Sequence, residues 1–160
     1  VQDKRLDLTT VKTIEATEQE QQRFALAVGD LLLTEGGDPD KLGRGTIWNN
    51  EVPGAIHQNH IFRVRVTEDS VEPVYLSHLL SSPYGRKYFL KMAKQTTGIA
   101  SINKTQLSDF PVMLPAKLTQ LEFMERLEAY EAQKVRYGSN LNKVENLFSS
   151  LQSRAFVGEL

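Results

Sequence analysis

The sequence has 160 residues, 40% hydrophobic and 24% charged, with 19 basic against 20 acidic side chains for a net charge of −1. That is one domain's worth of chain, or one domain plus an appendage, and a near-neutral total argues against a simple polyanion binder. The absence of cysteine excludes disulfides, zinc ribbons and thiol catalysis and fits a reducing cytoplasm, while no apolar run approaches the length of a membrane-spanning helix.

The chain opens on Val1-Gln2-Asp3-Lys4-Arg5, which is not a signal peptide and lacks an initiator Met. The expectation is a chain that begins inside a longer protein. Gly29-Asp30 reads as a turn, and the run Leu31-Leu32-Leu33 within residues 28–34 predicts a buried strand. Residues 35–45 hold four glycines, Pro39 and two aspartates and predict a loop. Thr46-Ile47-Trp48 resumes a strand, and Asn49-Asn50 and Pro53-Gly54 read as turns. Residues 60–66 alternate: Phe62, Val64 and Val66 share one face, Ile61, Arg63 and Arg65 the other. Such a strand packs on one side and presents guanidiniums on the other.

The period then changes. Glu72-Pro73 opens a short helix through Leu80. Ser82 before Pro83 is an N-cap pattern for a second helix running to about Lys94, with Tyr84, Tyr88 or Phe89, and Met92 on its apolar side. Thr96-Thr97-Gly98 breaks that helix. Residues 110–114, flanked by Pro111 and Pro115, predict a last strand at a sheet edge.

Beyond Pro115 the pattern is one long helix. Thr119 and Glu122 have capping-box spacing. From there Phe123, Leu127, Tyr130, Lys134, Tyr137, Leu141, Val144, Phe148, Leu151 and Ala155 advance in alternating steps of four and three, a coiled-coil seam with one polar member, Lys134. Gly158 is the stop signal, and a helix over residues 119–157 spans roughly 57 Å. A helix of that length needs a second helix to cover its seam. A break at Gly138 with the chain folding back is the alternative.

The charge is unevenly placed. Residues 1–40 carry 4 basic and 9 acidic groups, residues 41–105 carry 9 and 4 with all three histidines, and residues 106–160 carry 6 and 7. A +5 centre is a nucleic-acid signal that the total hides. Catalytic patterns are missing. The glycine-rich stretch lacks the Gly-Lys-Ser/Thr end of a phosphate loop, and its acidic residues would repel phosphate. Pro39-Asp40 with Glu51 lacks the lysine of a metal nuclease. His57 and His60, read on a strand, fall on opposite faces and have no third ligand nearby. No nucleophile elbow, dinucleotide fingerprint or methyltransferase motif occurs.

What remains is base-reading chemistry in loops. His57-Gln58-Asn59-His60 offers two amides and two imidazoles. Gln and Asn can bond bidentately to adenine, Arg and Lys to guanine. Lys41 and Arg44 lie in the glycine-rich segment. Residues 96–105 form a second polar loop after a basic helix. The candidate DNA contacts are therefore Lys41, Arg44, His57, Gln58, Asn59, His60, Thr97, Ser101, Asn103 and Lys104. Arg63 and Arg65 either reach phosphate or cover the outer face of the sheet.

These residues carry a family resemblance. The stretches Gly29-Asp30-Leu31-Leu32-Leu33-Thr34-Glu35-Gly36-Gly37-Asp38, Lys41-Leu42-Gly43-Arg44-Gly45 and His57-Gln58-Asn59-His60-Ile61-Phe62-Arg63-Val64-Arg65 come first. Tyr75-Leu76, Ser82-Pro83, Thr97-Gly98, Ser101-Ile102-Asn103-Lys104-Thr105-Gln106-Leu107, Phe110-Pro111-Val112 and Leu114-Pro115 follow in order, ending in Leu147-Phe148-Ser149-Ser150-Leu151-Gln152-Ser153-Arg154-Ala155-Phe156. In that ordered combination the chain resembles the specificity (S) subunit of type I restriction-modification systems over nearly its whole length. It departs in starting further downstream than a family recognition domain usually does, and in having one such domain and one spacer helix where a full subunit has two of each.

The resemblance implies an α+β fold: a small mixed-sheet or barrel-like DNA target-recognition domain over residues 1–115, truncated at its N-terminus, followed by a coiled-coil spacer helix over residues 116–160. It implies that the domain reads one half of a bipartite double-stranded target. The helix pairs with a second spacer helix, in cis or by homodimerisation. Methyltransferase (M) subunits dock on the assembly and supply S-adenosylmethionine and methyl transfer; restriction (R) subunits supply translocation and cleavage. The chain itself, cytoplasmic and bacterial, would catalyse nothing and hold no cofactor or metal. The alternative is a coiled-coil scaffold with no DNA-reading role.

Overall fold

The computed structural model describes residues 1–159, with the side chain of Asp40 outside the described set. The Asp40 carboxylate of the metal-nuclease reading thus lies outside the described residues. The chain forms two compact units, Val1–Gln120 and Leu121–Leu160.

The first element is helix α1, Glu18–Phe24. Its start is dictated locally: the Thr17 hydroxyl accepts from the Glu20 amide, and the Glu20 carboxylate accepts from the Thr17 amide at 2.9 Å, a reciprocal capping box. Strands β1 (Leu31–Thr34), β3 (Gly45–Ile47) and β4 (Ile61–Val64) make an antiparallel sheet in the order β3-β1-β4. Leu31 stands opposite Ile47 and Val64, and Leu33 opposite Gly45 and Phe62. The central position of β1 explains why its three leucines run consecutively and are all buried. A second antiparallel sheet has the order β2-β6-β5, from β2 (Gly36–Gly37), β6 (Ile99–Ser101) and β5 (Lys94–Thr96).

Helices α2 (Pro73–Ser81) and α3 (Pro83–Met92) share Ser82 as a joint. Its amide closes α2 on Leu79 O, and its hydroxyl caps α3 by accepting from the Gly85 amide at 3.2 Å. A Cβ on Gly85 would lie 2.1 Å from Leu80 O, so only glycine permits this tight turn between the helices. The core gathers Leu31 and Leu33 with Leu42, Leu76, Leu79, Leu80, Phe89, Ala100, Ile102 and Phe110. Phe62, Val64 and Val66 pack against it, as the alternation of residues 60–66 predicts.

The α+β expectation with a long C-terminal helix holds, and both sheets are antiparallel throughout. Several local expectations need correction. Residues 110–114 form no strand. Pro111 and Pro115 lack the N–H that a ladder needs, and the Tyr84 and Tyr75 hydroxyls bond instead to Pro111 O (2.9 Å) and Met113 O (2.7 Å). The glycine-rich loop contains β2 and a short 3-10 turn, Pro39–Lys41. The polar segment 96–105 is mostly a hairpin: β5 and β6 meet at Thr97-Gly98, where Gly98 adopts φ +80°. It continues into helix α4, Lys104–Ser108. Helix α3 ends at Met92 rather than near Lys94, and residues 57–60 form a loop and turn before β4, so His57 and His60 do not share a strand.

The outer face of β4 is not an open display of guanidiniums. Arg63 Nη1 donates to Ala25 O at 2.6 Å. Arg65 donates through Nε and Nη2 to the two Asp30 carboxylate oxygens at 2.7 Å each. Asp30 is buried, which alone would raise its carboxyl; the Arg65 guanidinium, the Ala27 amide and the charges of Arg65 and Arg63 outweigh burial and hold it below the usual carboxylate range. The stabilisation from this depressed group is fully present above the ordinary Asp value and is lost as pH falls through the folded-state value. Replacing Arg65 by Met strands a buried carboxylate. Because the guanidinium is half-exposed, we expect a loss near the lower end of the range for charged hydrogen bonds, about 1–2 kcal/mol at neutral pH. Urea titrations of both proteins should show the difference shrinking as pH falls, first as the stranded carboxylate of the variant takes up a proton and last as the wild-type group, held below the usual carboxylate range, does so. A pH-independent difference would contradict the assignment.

Helix α5, Lys117–Phe156, has 40 residues and is about 60 Å long. It begins two residues before Thr119, so the Thr119–Glu122 capping box is not its start. It continues through Gly138, which settles the alternative of a break there. It ends in a Schellman motif at Gly158, φ +77°, with the Gly158 amide on Ala155 O and the Glu159 amide on Arg154 O. Along it Tyr130, Tyr137, Leu141, Val144 and Phe148 are each 59–70% exposed, and the Lys134 ammonium pairs with Glu131 at 3.2 Å.

Candidate nucleic-acid interface

Three segments distant in sequence meet at Glu35. Its amide donates to His60 O at 3.1 Å, and its carbonyl accepts from the Ile102 amide at 2.9 Å. Gly36 and Gly37 pair with Ser101 and Ala100. A Cβ on Gly36 would come within 2.8 Å of Ala100 O, so the glycine allows the close approach of backbones. The side chains close the same junction: His60 Nδ1–H donates to Glu35 Oε2 at 2.8 Å. The result is an open cleft of about 510 Å³ lined by Thr34, Glu35, Gly36, Gln58, His60 and Ser101, among others.

The sequence-predicted contacts divide around this junction. Gln58, His60 and Ser101 line the cleft; Asn59 is exposed on the same turn. Lys41 stands on the 3-10 turn and forms an ion pair with Asp38, whose carboxyl that hydrogen bond and charge hold down. Arg44 is half-buried between buried Gly43 and Gly45. Thr97 is exposed at the hairpin tip. Asn103 is engaged locally: its side chain accepts from the Gln106 amide at 2.9 Å and caps α4.

His57, Arg63 and Lys104 belong elsewhere, on the wall of a cavity of about 530 Å³. Arg23 joins them, over a lining that includes Phe24, Phe62, Leu80 and Phe110, and among the described residues no acidic one lines it. His57 meets Phe24 edge-on at 5.3 Å. Among the described residues no group of three or more His, Asp or Glu could hold a metal ion, and no helix is long and apolar enough to cross a membrane.

Sequence reasoning missed Glu35, Arg23 and Phe24. Glu35 reads as an obstacle to phosphate until the junction shows what surrounds it. The Thr17–Glu20 spacing was the available signal for α1, which carries Arg23 and Phe24.

The chain thus presents an α+β unit with a polar cleft assembled from three segments distant in sequence, and a helix carrying an exposed heptad seam. No family model matches it. It is similar to the type I restriction enzyme EcoKI specificity subunit of Escherichia coli (strain K12), at 29% identity over 161 residues, 97% of this chain and 34% of that protein. It is also similar to the "Putative type I restriction enzyme MjaX specificity subunit" of Methanocaldococcus jannaschii, at 25% identity over 132 residues, 82% of this chain and 31% of that protein. The resemblance to type I specificity subunits is thereby borne out over most of the chain. The chain spans about a third of the length of the relatives it matches.

Proposed function

We propose that the first unit reads the bases of one half of a bipartite double-stranded DNA target, as the specificity component of a type I restriction-modification complex. The observation that supports this best is the convergence of the Gly36–Gly37, Gln58–His60 and Ser101 segments on Glu35, which collects amide, imidazole and hydroxyl groups in one open cleft. Groups of these types discriminate base edges, whereas phosphate contacts set register without carrying sequence. The exposed seam of α5 pairs with a second spacer helix and sets the distance between half-sites. Methyltransferase and restriction subunits supply the chemistry, and this chain contributes recognition without catalysis in the cytoplasm. Lys41, Arg44, His57, Asn59, Thr97, Asn103 and Lys104 complete the proposed contact set, whereas Arg63 and Arg65, held by Ala25 O and the Asp30 carboxylate, cover the outer face of the sheet.

Exchanging residues 56–60 and 96–105 for those of a relative with a different target is expected to redirect methylation by the reconstituted complex to new sites. Unchanged sites, mapped by sequencing of the methylated DNA, would sink the reading. The exposed heptad seam favours a second reading, a coiled-coil scaffold whose first unit is a passive cap. No mobility shift with DNA at low salt, with or without the methyltransferase subunits, would select it.

A further inference from the structure

The DNA-reading proposal leaves one group in the cleft unexplained, the carboxylate of Glu35. We propose that Glu35 is a specificity-determining residue that selects a cytosine by accepting a hydrogen bond from its exocyclic amino group. The inference rests on the DNA-reading proposal and deepens it.

Glu35 is the hydrogen-bonding centre of the junction. Its backbone holds the other two segments, so its side chain has a defined origin. The carboxylate is not consumed by that role. His60 Nδ1–H donates to Oε2, no hydrogen bond to Oε1 is seen among the described residues, and the side chain is 38% exposed in the cleft. An ionised carboxylate is acceptor-only. In a major groove the acceptors of guanine and thymine repel it. Adenine offers a donor beside an acceptor, and the cytosine amino group is a donor with no adjacent acceptor of its own. The chemistry therefore excludes more than it admits, which is what a selecting group must do. The His60 bond fixes one oxygen and so orients the other.

A carboxylate near DNA also costs repulsion from phosphates, and the sheet that carries Gly36 also carries an exposed lysine on its β5 strand. Ser101 sits between Gly36 on one side and Lys94 on the other, with Lys94 exposed.

The test uses the full specificity subunit in its methyltransferase complex, with methylated sites mapped across genomic DNA. Glu35→Ala is expected to lower the preference for cytosine at one position of one half-site by tenfold or more, leaving the other positions unchanged. Glu35→Gln keeps an oxygen for His60 and adds a donor, so it is expected to admit adenine at that same position. An identical site set in both variants overturns the inference, as does a uniform loss of methylation at every site in variants that melt at the wild-type temperature. If Glu35→Ala melts early, Glu35→Gln decides alone, because it preserves the His60 bond. Should exchange of residues 56–60 and 96–105 redirect methylation while both Glu35 variants keep the original sites, the inference fails and the DNA-reading proposal stands. Failure of the exchange itself removes the proposal beneath it.

Discussion

Phe89→Ala is expected to lower the unfolding free energy by about 3–5 kcal/mol, as large aromatic truncations in rigid cores do. Phe89 is fully buried. Its ring stacks on Phe110 at 5.3 Å with 21° between planes and meets Tyr88 edge-on at 5.4 Å. Phe110 in turn meets Tyr88 and Tyr84 edge-on, at 5.2 and 5.6 Å, so four rings interlock. Gly43 also lies against Phe89: a Cβ there would fall 2.6 Å from the ring. Collapse into the hole is thus resisted by ring stacking and by backbone, and the cavity penalty is retained in full. Urea unfolding followed by circular dichroism measures it. A loss under 1 kcal/mol would show that the site relaxes freely. Because Gly43 belongs to the glycine-rich segment that also carries Gly36, the same variant should loosen that segment's protection against proteolysis.

Gln120→Ala is expected to cost about 2–4 kcal/mol by depriving three part-buried backbone groups of their partner rather than by leaving a void. Gln120 is completely buried at the first turn of α5. Its Oε1 accepts from the Glu72 amide at 2.9 Å, and its Nε2 donates to Ser70 O at 2.8 Å and Pro115 O at 3.0 Å. One primary amide thus satisfies three main-chain groups from two segments, next to the Lys117–Glu72 ion pair at 2.7 Å. Gln120→Leu, which restores most of the volume, should be nearly as damaging as Ala. Gln120→Glu should be worse than its size suggests, because a second oxygen would face Ser70 O and Pro115 O. Chemical denaturation of the three variants separates the explanations: recovery of stability in Leu would mean that packing, not hydrogen bonding, is what Gln120 provides.

Much of the architecture could be read from local pattern. The leucine run of β1, the alternation along β4, Ser82 before Pro83, the heptads of α5 and the stop at Gly158 each express a constraint that acts within a few residues. What escaped reading depends on partners far along the chain. Asp30 and Arg65 are 35 residues apart, and nothing in either neighbourhood announces their pairing. Residues 110–114 have strand-like composition, but a strand exists only where a neighbour supplies a ladder, and here two tyrosine hydroxyls took that place. Asn103 shows a different failure. Its spacing to Gln106 is a capping box legible in the sequence, and the polarity of the surrounding segment drew attention to base edges instead. The cleft follows the same division. Its polar groups were visible as residue types, while the junction at Glu35 arises from backbone pairing between segments tens of residues apart.

The tethering of residues 110–114 has a bearing on solubility. An edge strand offers a repeating row of donors and acceptors on which a second chain can template. Here the two carbonyls that would anchor such a row are occupied by phenols, and the prolines at 111 and 115 erase two donors. Val112, Met113 and Leu114 are an exposed apolar stretch that would otherwise invite sheet extension. Fixed from the side rather than along its length, this stretch offers a second copy only a broken row of donors and acceptors, which disfavours edge-to-edge pairing without a single added charge.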